Sequence, residues 1–126
     1  MVYNPGIEIA LIITAPSIDH IGLKIVLSDN KLPKLKLESK SSLVTLAEQL
    51  LSKHTKLALM WVNLEQCYPI DSINYDDTLV IPFICMIPEA TTVYESEWKD
   101  LISVFNECDK YNEKDLEIIK YCLSKI

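Results

Sequence analysis

Between Leu32 and Leu57 the hydrophobic period of this chain changes, and that change limits what the chain can fold into. Lys34, Lys36 and Glu38 alternate with Leu35 and Leu37, the period of a half-buried strand with one charged and one apolar face. Leu43, Leu46, Ala47, Leu50 and Leu51 then recur at helical spacing. Ser41 or Ser42 can cap that helix, because a hydroxyl there accepts from the free amides of the first turn. The helix is expected to fade near His54-Thr55.

The flanking segments add strands and then helices. Ile7 to Thr14 reads as a buried strand, bounded by Pro5-Gly6 and Pro16. Pro16 to His20 reads as a turn, Ile21 to Leu27 as a second strand, and Ser28-Asp29-Asn30 as a strong turn signal. Leu57 to Leu64 and Thr78 to Ile87 read as two more strands, joined by a polar connection at Asp71 to Asp77. Pro82 places the last of these at an edge or a bulge, because proline cannot donate to a ladder. Trp98, Leu101, Ile102 and Phe105 form one helical stripe, and Leu116, Ile119, Leu123 and Ile126 form another. Strands, a helix, strands and terminal helices make a mixed α/β domain, expected to be one unit over 1–126.

Composition narrows the classes. The net charge of -6 disfavours non-specific nucleic-acid binding while leaving room for a local basic patch. Cys67, Cys85, Cys108 and Cys122 are widely spaced with no CxxC pair, so they read as small buried hydrophobes of a reducing cytosol. The apolar run at Ile7 to Thr14 is interrupted by Glu8 and is far short of a membrane span, so no membrane association is expected. All 12 basic side chains other than histidine are lysine. With abundant Ile and Asn, this points to an AT-rich genome, such as a virus carries. The expected location is the cytoplasm, that of the host cell if the gene is viral.

Leu32-Pro33, Glu38, the apolar positions Leu43, Ala47 and Leu51, then Thr55 and Leu57, lie without a gap along the pattern of a Nudix box. Glu97-Trp98 with Leu101 is similar to the acid-Trp-x-x-Leu step that often follows that family's last strand. The chain therefore resembles a Nudix hydrolase, and the resemblance implies a Nudix-like mixed β-sheet packed between α-helices. The signature positions differ. Lys34 and Leu35 stand at the two glycines, Ser41 at the first glutamate, and Gln49-Leu50 at the Arg-Glu pair. Lys53 and His54 stand at the two metal-binding glutamates and Lys56 at the closing glycine. In the family those glutamates hold magnesium, a hard cation that wants carboxylate oxygens and that a lysine repels. The expectation is a chain that is not an enzyme, with no catalytic residue, no metal site and no cofactor.

The leading functional expectation is a non-catalytic protein-interaction or scaffold module, a pseudoenzyme whose partner is another protein. The acidic C-terminal third, from Glu89 to Glu117, offers a surface of complementary potential for it. The alternative is metal-independent binding of a nucleotide or RNA in a lysine-rimmed cleft, with Lys34, Lys36, Lys53, His54 and Lys56 as the phosphate or nucleotide ligands. Trp61 and Tyr68 could stack on a base, but in or near a strand they read first as core residues. His54 and His20 otherwise read as surface residues. A third reading is a hydrolase with relocated acids drawn from Glu38, Glu48 or Asp76. Self-association is left open.

Overall fold

The computed structural model describes residues 6–16, 22–37, 42–56, 64–66, 70–71, 78–88 and 91–123. Its strands are β1 (Gly6–Pro16), β2 (Leu23–Leu27), β3 (Lys34–Lys36), β4 (Glu65–Gln66), β5 (Ile70–Asp71), β6 (Thr78–Met86) and β7 (Glu97–Asp100). Its helices are α1 (Leu43–His54), α2 (Leu101–Asn106) and α3 (Glu113–Leu123), with a 3-10 turn at Cys108–Lys110.

β1 is the middle of the sheet because its sequence is apolar on both faces. Every residue from Ile9 to Ala15 is buried. A continuous Ile-rich run of this kind suits a strand with helices on either side. The sheet runs β4-β6-β1-β2-β7, with β3 also on β1 and β5 also on β6. β6 lies parallel to β1 over Gly6 to Thr14, while β2 and β3 pair antiparallel with opposite ends of β1. β2 leaves through a two-residue turn at Asp29 and Asn30, whose φ of 52° and 62° are the left-handed pair that short Asp and Asn side chains accept.

Alternation along β1 sorts the core into two halves. Ile9, Leu11 and Ile13 pack with Leu46, Ala47, Leu50 and Leu51 of α1. Ala10 and Ile12 pack with Leu101 and Val104 of α2 and with Leu116, Ile118, Ile119 and Cys122 of α3. The sheet is thus sandwiched by α1 on one face and by α2 and α3 on the other. Ser42 caps α1, its hydroxyl accepting from Thr45 N–H at 3.1 Å, a contact of about 1 kcal/mol.

Pro82 sits inside the sheet, not on an edge strand, and the reason lies in the ladders. Ile87 N–H donates to Thr14 C=O at 2.8 Å, so the odd-numbered residues of β6 turn their backbone groups to β1. Pro82, being even, turns its ring nitrogen the other way. There Val80 pairs with Ile70 and Phe83 with Gln66, so three steps along β6 face four along the neighbouring chain. The residues between Gln66 and Ile70, opposite Pro82, lie outside the described residues; what the ladders show is that the missing N–H points away from β1 and leaves that pairing unbroken.

The stripe from Trp98 to Phe105 is not one helix. Glu97–Asp100 is an edge strand on β2, and the helix starts only at Leu101. Trp98 donates its indole N–H to Thr91 C=O at 3.0 Å, and Ile102 of the expected apolar stripe is exposed. Pairing with β2 overrides a spacing that four residues can mimic. The strand expected at Leu57 to Leu64, apart from Leu64, lies outside the described residues, as do Glu38, Trp61 and Tyr68.

Cys85 and Cys122 are buried, whereas Cys108 is exposed. Burial pushes the Cys85 thiol from its ordinary 9.0 up to about 12. The folded state keeps this proton where the unfolded chain gives it up, so the contribution is intact below 9.0 and is lost as pH rises toward about 12. Cys85→Ala is expected to flatten the alkaline limb of a Tm-against-pH curve. A limb of unchanged slope would show that other groups set it.

Candidate functional site

The last turn of α1 meets an exposed segment just before β7. His54 is 2 % exposed, and its Nδ1 lies 3.0 Å from Tyr94 C=O. A carbonyl only accepts, so Nδ1 carries the proton. In return Tyr94 N–H donates to His54 C=O at 2.8 Å, satisfying a carbonyl that the helix end leaves open. Thr55 closes the same turn, donating both its N–H, at 2.8 Å, and its hydroxyl, at 3.0 Å, to Leu51 C=O.

Two further bonds hold the segment, one from Ser28 and one within it. Ser28 Oγ donates to Glu95 C=O at 2.7 Å, and Ser96 Oγ donates to Tyr94 C=O at 2.8 Å. Between them Glu95 adopts φ 55°, a left-handed conformation that costs a residue with a Cβ about 1–2 kcal/mol. Lys56 holds its ammonium over the Tyr94 ring, 5.1 Å from the centroid. The Lys53 ammonium is 3.9 Å from Glu95 Oε2 in an exposed, loose pair. Three of the sequence candidates, Lys53, His54 and Lys56, therefore converge on Tyr94 and Glu95. His54 is not a surface residue; it is a buried brace for this segment.

Lys34 and Lys36 lie elsewhere. They pair in register with Ala10 and Glu8, which places both on the α2–α3 face of the sheet, with Leu35 on the α1 face. Lys34 forms an ion pair with Asp115 of α3, a carboxylate 2 % exposed. Asp115 Oδ2 also accepts from Leu32 N–H at 3.1 Å. The Lys34 charge is thereby matched inside the fold. Lys36 is exposed at the end of β3. The five candidates do not rim a common cleft, because adjacent stretches of sequence reach opposite faces of the sheet.

The acidic C-terminal third is partly consumed in the same way. Asp115 is internal, Glu97 pairs with Lys99 at 3.1 Å, and Glu107 pairs with Lys110 at 3.4 Å. The Glu97 carboxylate holds the Lys99 ammonium above the usual lysine range, chiefly through their hydrogen bond.

The described donors do not fit a magnesium ion. Glu48 is the one acid of α1, and no group of three or more His, Cys, Asp or Glu gathers to hold a metal among the described residues. Lys53 would oppose a cation there. Glu38 and Asp76 lie outside the described residues. No helix of the described residues is long and apolar enough to cross a membrane.

Tyr94 was missed by reading the sequence. It stands 38 positions beyond Lys56 in a segment of no recognisable period, and no local signal marks it.

No protein-family model and no curated protein matches the sequence. Solved structures do match, and they are of the Nudix fold. A mutT/nudix family protein from Listeria innocua aligns over 98% of this chain and 95% of its own, at 13% identity and a TM-score of 0.74. The NUDIX domain of Shewanella oneidensis NrtR, complexed with ADP ribose, aligns over 98% and 90%, at 12% identity and 0.72. The Ap4A hydrolase of C. elegans aligns over 96% and 98%, at 9% identity and 0.66. The architecture of this chain is Nudix-like, as the element order and the spacing at 32–57 led one to expect. The likeness also overturns the expectation that the chain is not an enzyme. That expectation rested on the residues of one loop and helix, whereas the whole architecture is one that a hydrolase uses from end to end.

Proposed function

We propose that this chain binds a nucleoside-diphosphate derivative at the C-terminal end of α1. The observation that carries the reading is the architecture, shared over 98% of the chain with a domain complexed with ADP ribose. Lys53 and Lys56 support it. Along the Nudix-box resemblance they replace a metal-binding glutamate and the closing glycine, so they bring positive charge of their own to the place where the family uses a cation. A lysine ammonium is a compact point charge able to engage phosphate oxygens directly. Lys34 is not part of this reading, since Asp115 already neutralises it.

ADP-ribose, titrated with and without magnesium, tests the proposal. A ligand that binds only the folded state stabilises it by about 2.7 kcal/mol at a hundredfold excess over Kd, a plain rise in Tm. The rise is expected without magnesium, to shrink with salt, to be lost in Lys53→Glu and Lys56→Glu, and to persist in Lys36→Glu on the opposite face. An unchanged Tm with ADP-ribose and other nucleoside diphosphates would remove the proposal. Release of AMP, followed in the same samples, reads hydrolysis directly and separates binding alone from binding with turnover.

A further inference from the structure

We infer that the Tyr94 ring is the seat for the ligand's base, with Lys56 and Lys53 beside it to take the phosphates; this rests on the nucleotide-binding reading above and deepens it. Side chains at the surface usually hang on backbone that is free to move. Here the backbone of Tyr94 is bonded on both sides, to His54 C=O at 2.8 Å and His54 Nδ1 at 3.0 Å, and the next residue is pinned by Ser28. Glu95 is held left-handed at φ 55° although it is neither glycine nor asparagine. Strain that the surroundings enforce at an exposed position points toward use of that position.

Tyr94, so presented, is partly open, 37% exposed as a residue. A base can stack on an aromatic ring whatever its identity, because every base has a π-face. A ring whose backbone is already ordered loses little freedom when a ligand arrives. The Lys56 ammonium, 5.1 Å from the ring centroid, is held close by the ring quadrupole and is positioned for a phosphate attached to a stacked nucleoside. Glu95 opposes a phosphate there. Its carboxylate lies 3.9 Å from Lys53, so an incoming phosphate must displace it.

Calorimetry on the full chain with two probes separates the roles. ADP-ribose carries a base, and ribose 5-phosphate does not. Tyr94→Ala keeps every main-chain bond of the segment and is expected to weaken ADP-ribose roughly tenfold, to leave ribose 5-phosphate unchanged, and to leave Tm unchanged. Tyr94→Phe is expected to bind both as the parent does, and Glu95→Gln to tighten both. Equal binding of ADP-ribose by the parent and Tyr94→Ala would overturn the inference while leaving the nucleotide reading intact. An equal loss of both probes would also overturn it, since that is the mark of a structural role. A parent chain that binds neither probe would overturn the nucleotide reading and this inference with it.

Discussion

Phe83→Ala is expected to lower the unfolding free energy by about 4 kcal/mol, the largest single loss in this set. Phe83 is 1% exposed and belongs to the half of the core that α1 covers. It sits in β6, paired in register with Leu11 of β1 on one side and Gln66 of β4 on the other. Neither neighbour can move in to fill the void without breaking its own ladder. The loss therefore includes a cavity contribution as well as the transfer free energy of the ring. A domain of this size has roughly 5–15 kcal/mol in total, so the variant would sit near the edge of folding. Met86, on the same strand but 55% exposed, supplies the control, and Met86→Ala is expected to stay within about 0.5 kcal/mol of the parent. Urea titration of both reads the difference. Similar midpoints for the two variants would mean that the α1 half of the core is loosely packed.

Asp115→Ala is expected to cost about 3 kcal/mol, the lower end of the range for breaking a buried ion pair. The carboxylate is almost wholly enclosed, whereas the Lys34 side chain is 22% exposed and keeps some hydration. Removing Asp115 leaves that ammonium without its partner and also leaves Leu32 N–H without the acceptor now 3.1 Å away. A fall in Tm of roughly 10 °C corresponds. The pair does more than add stability. β3 has only three residues, too few to hold a register by their own ladder, and Asp115 ties Lys34 of the strand and Leu32 just before it to α3. A double-mutant cycle with Lys34→Met isolates the coupling. Additive losses in that cycle would show that the two residues act independently and that the ion pair is incidental.

Much of the architecture is legible in the residues themselves. The Ile-rich run of β1 has no polar face to give to water, so burial on both sides follows from composition. α1 is written in its leucine spacing and its serine cap, and the left-handed turn at Asp29-Asn30 in the two residue types that tolerate it. The change of period between Leu32 and Leu57 points to the Nudix-like arrangement that the structure has. These features are local, and local backbone preference and side-chain periodicity are properties of the chain before it folds.

The remaining features depend on residues far apart in sequence. Trp98 to Phe105 carries a helical spacing, yet Glu97 to Asp100 pairs with β2, because a strand edge about seventy residues earlier offers hydrogen bonds that a helix would leave unused. The lysines of 32–57 look like one basic stretch, but strand alternation sends Lys34 to a carboxylate on α3 while the end of α1 sends Lys53 and Lys56 to Tyr94. Which face a side chain reaches is set by ladder register and by the side on which each helix packs. The sequence by itself determined β1, α1 with its serine cap, and the left-handed turn at Asp29-Asn30. Only the tertiary structure decided which charges are matched internally and which stand around an exposed ring, because those depend on contacts between segments that no local pattern records.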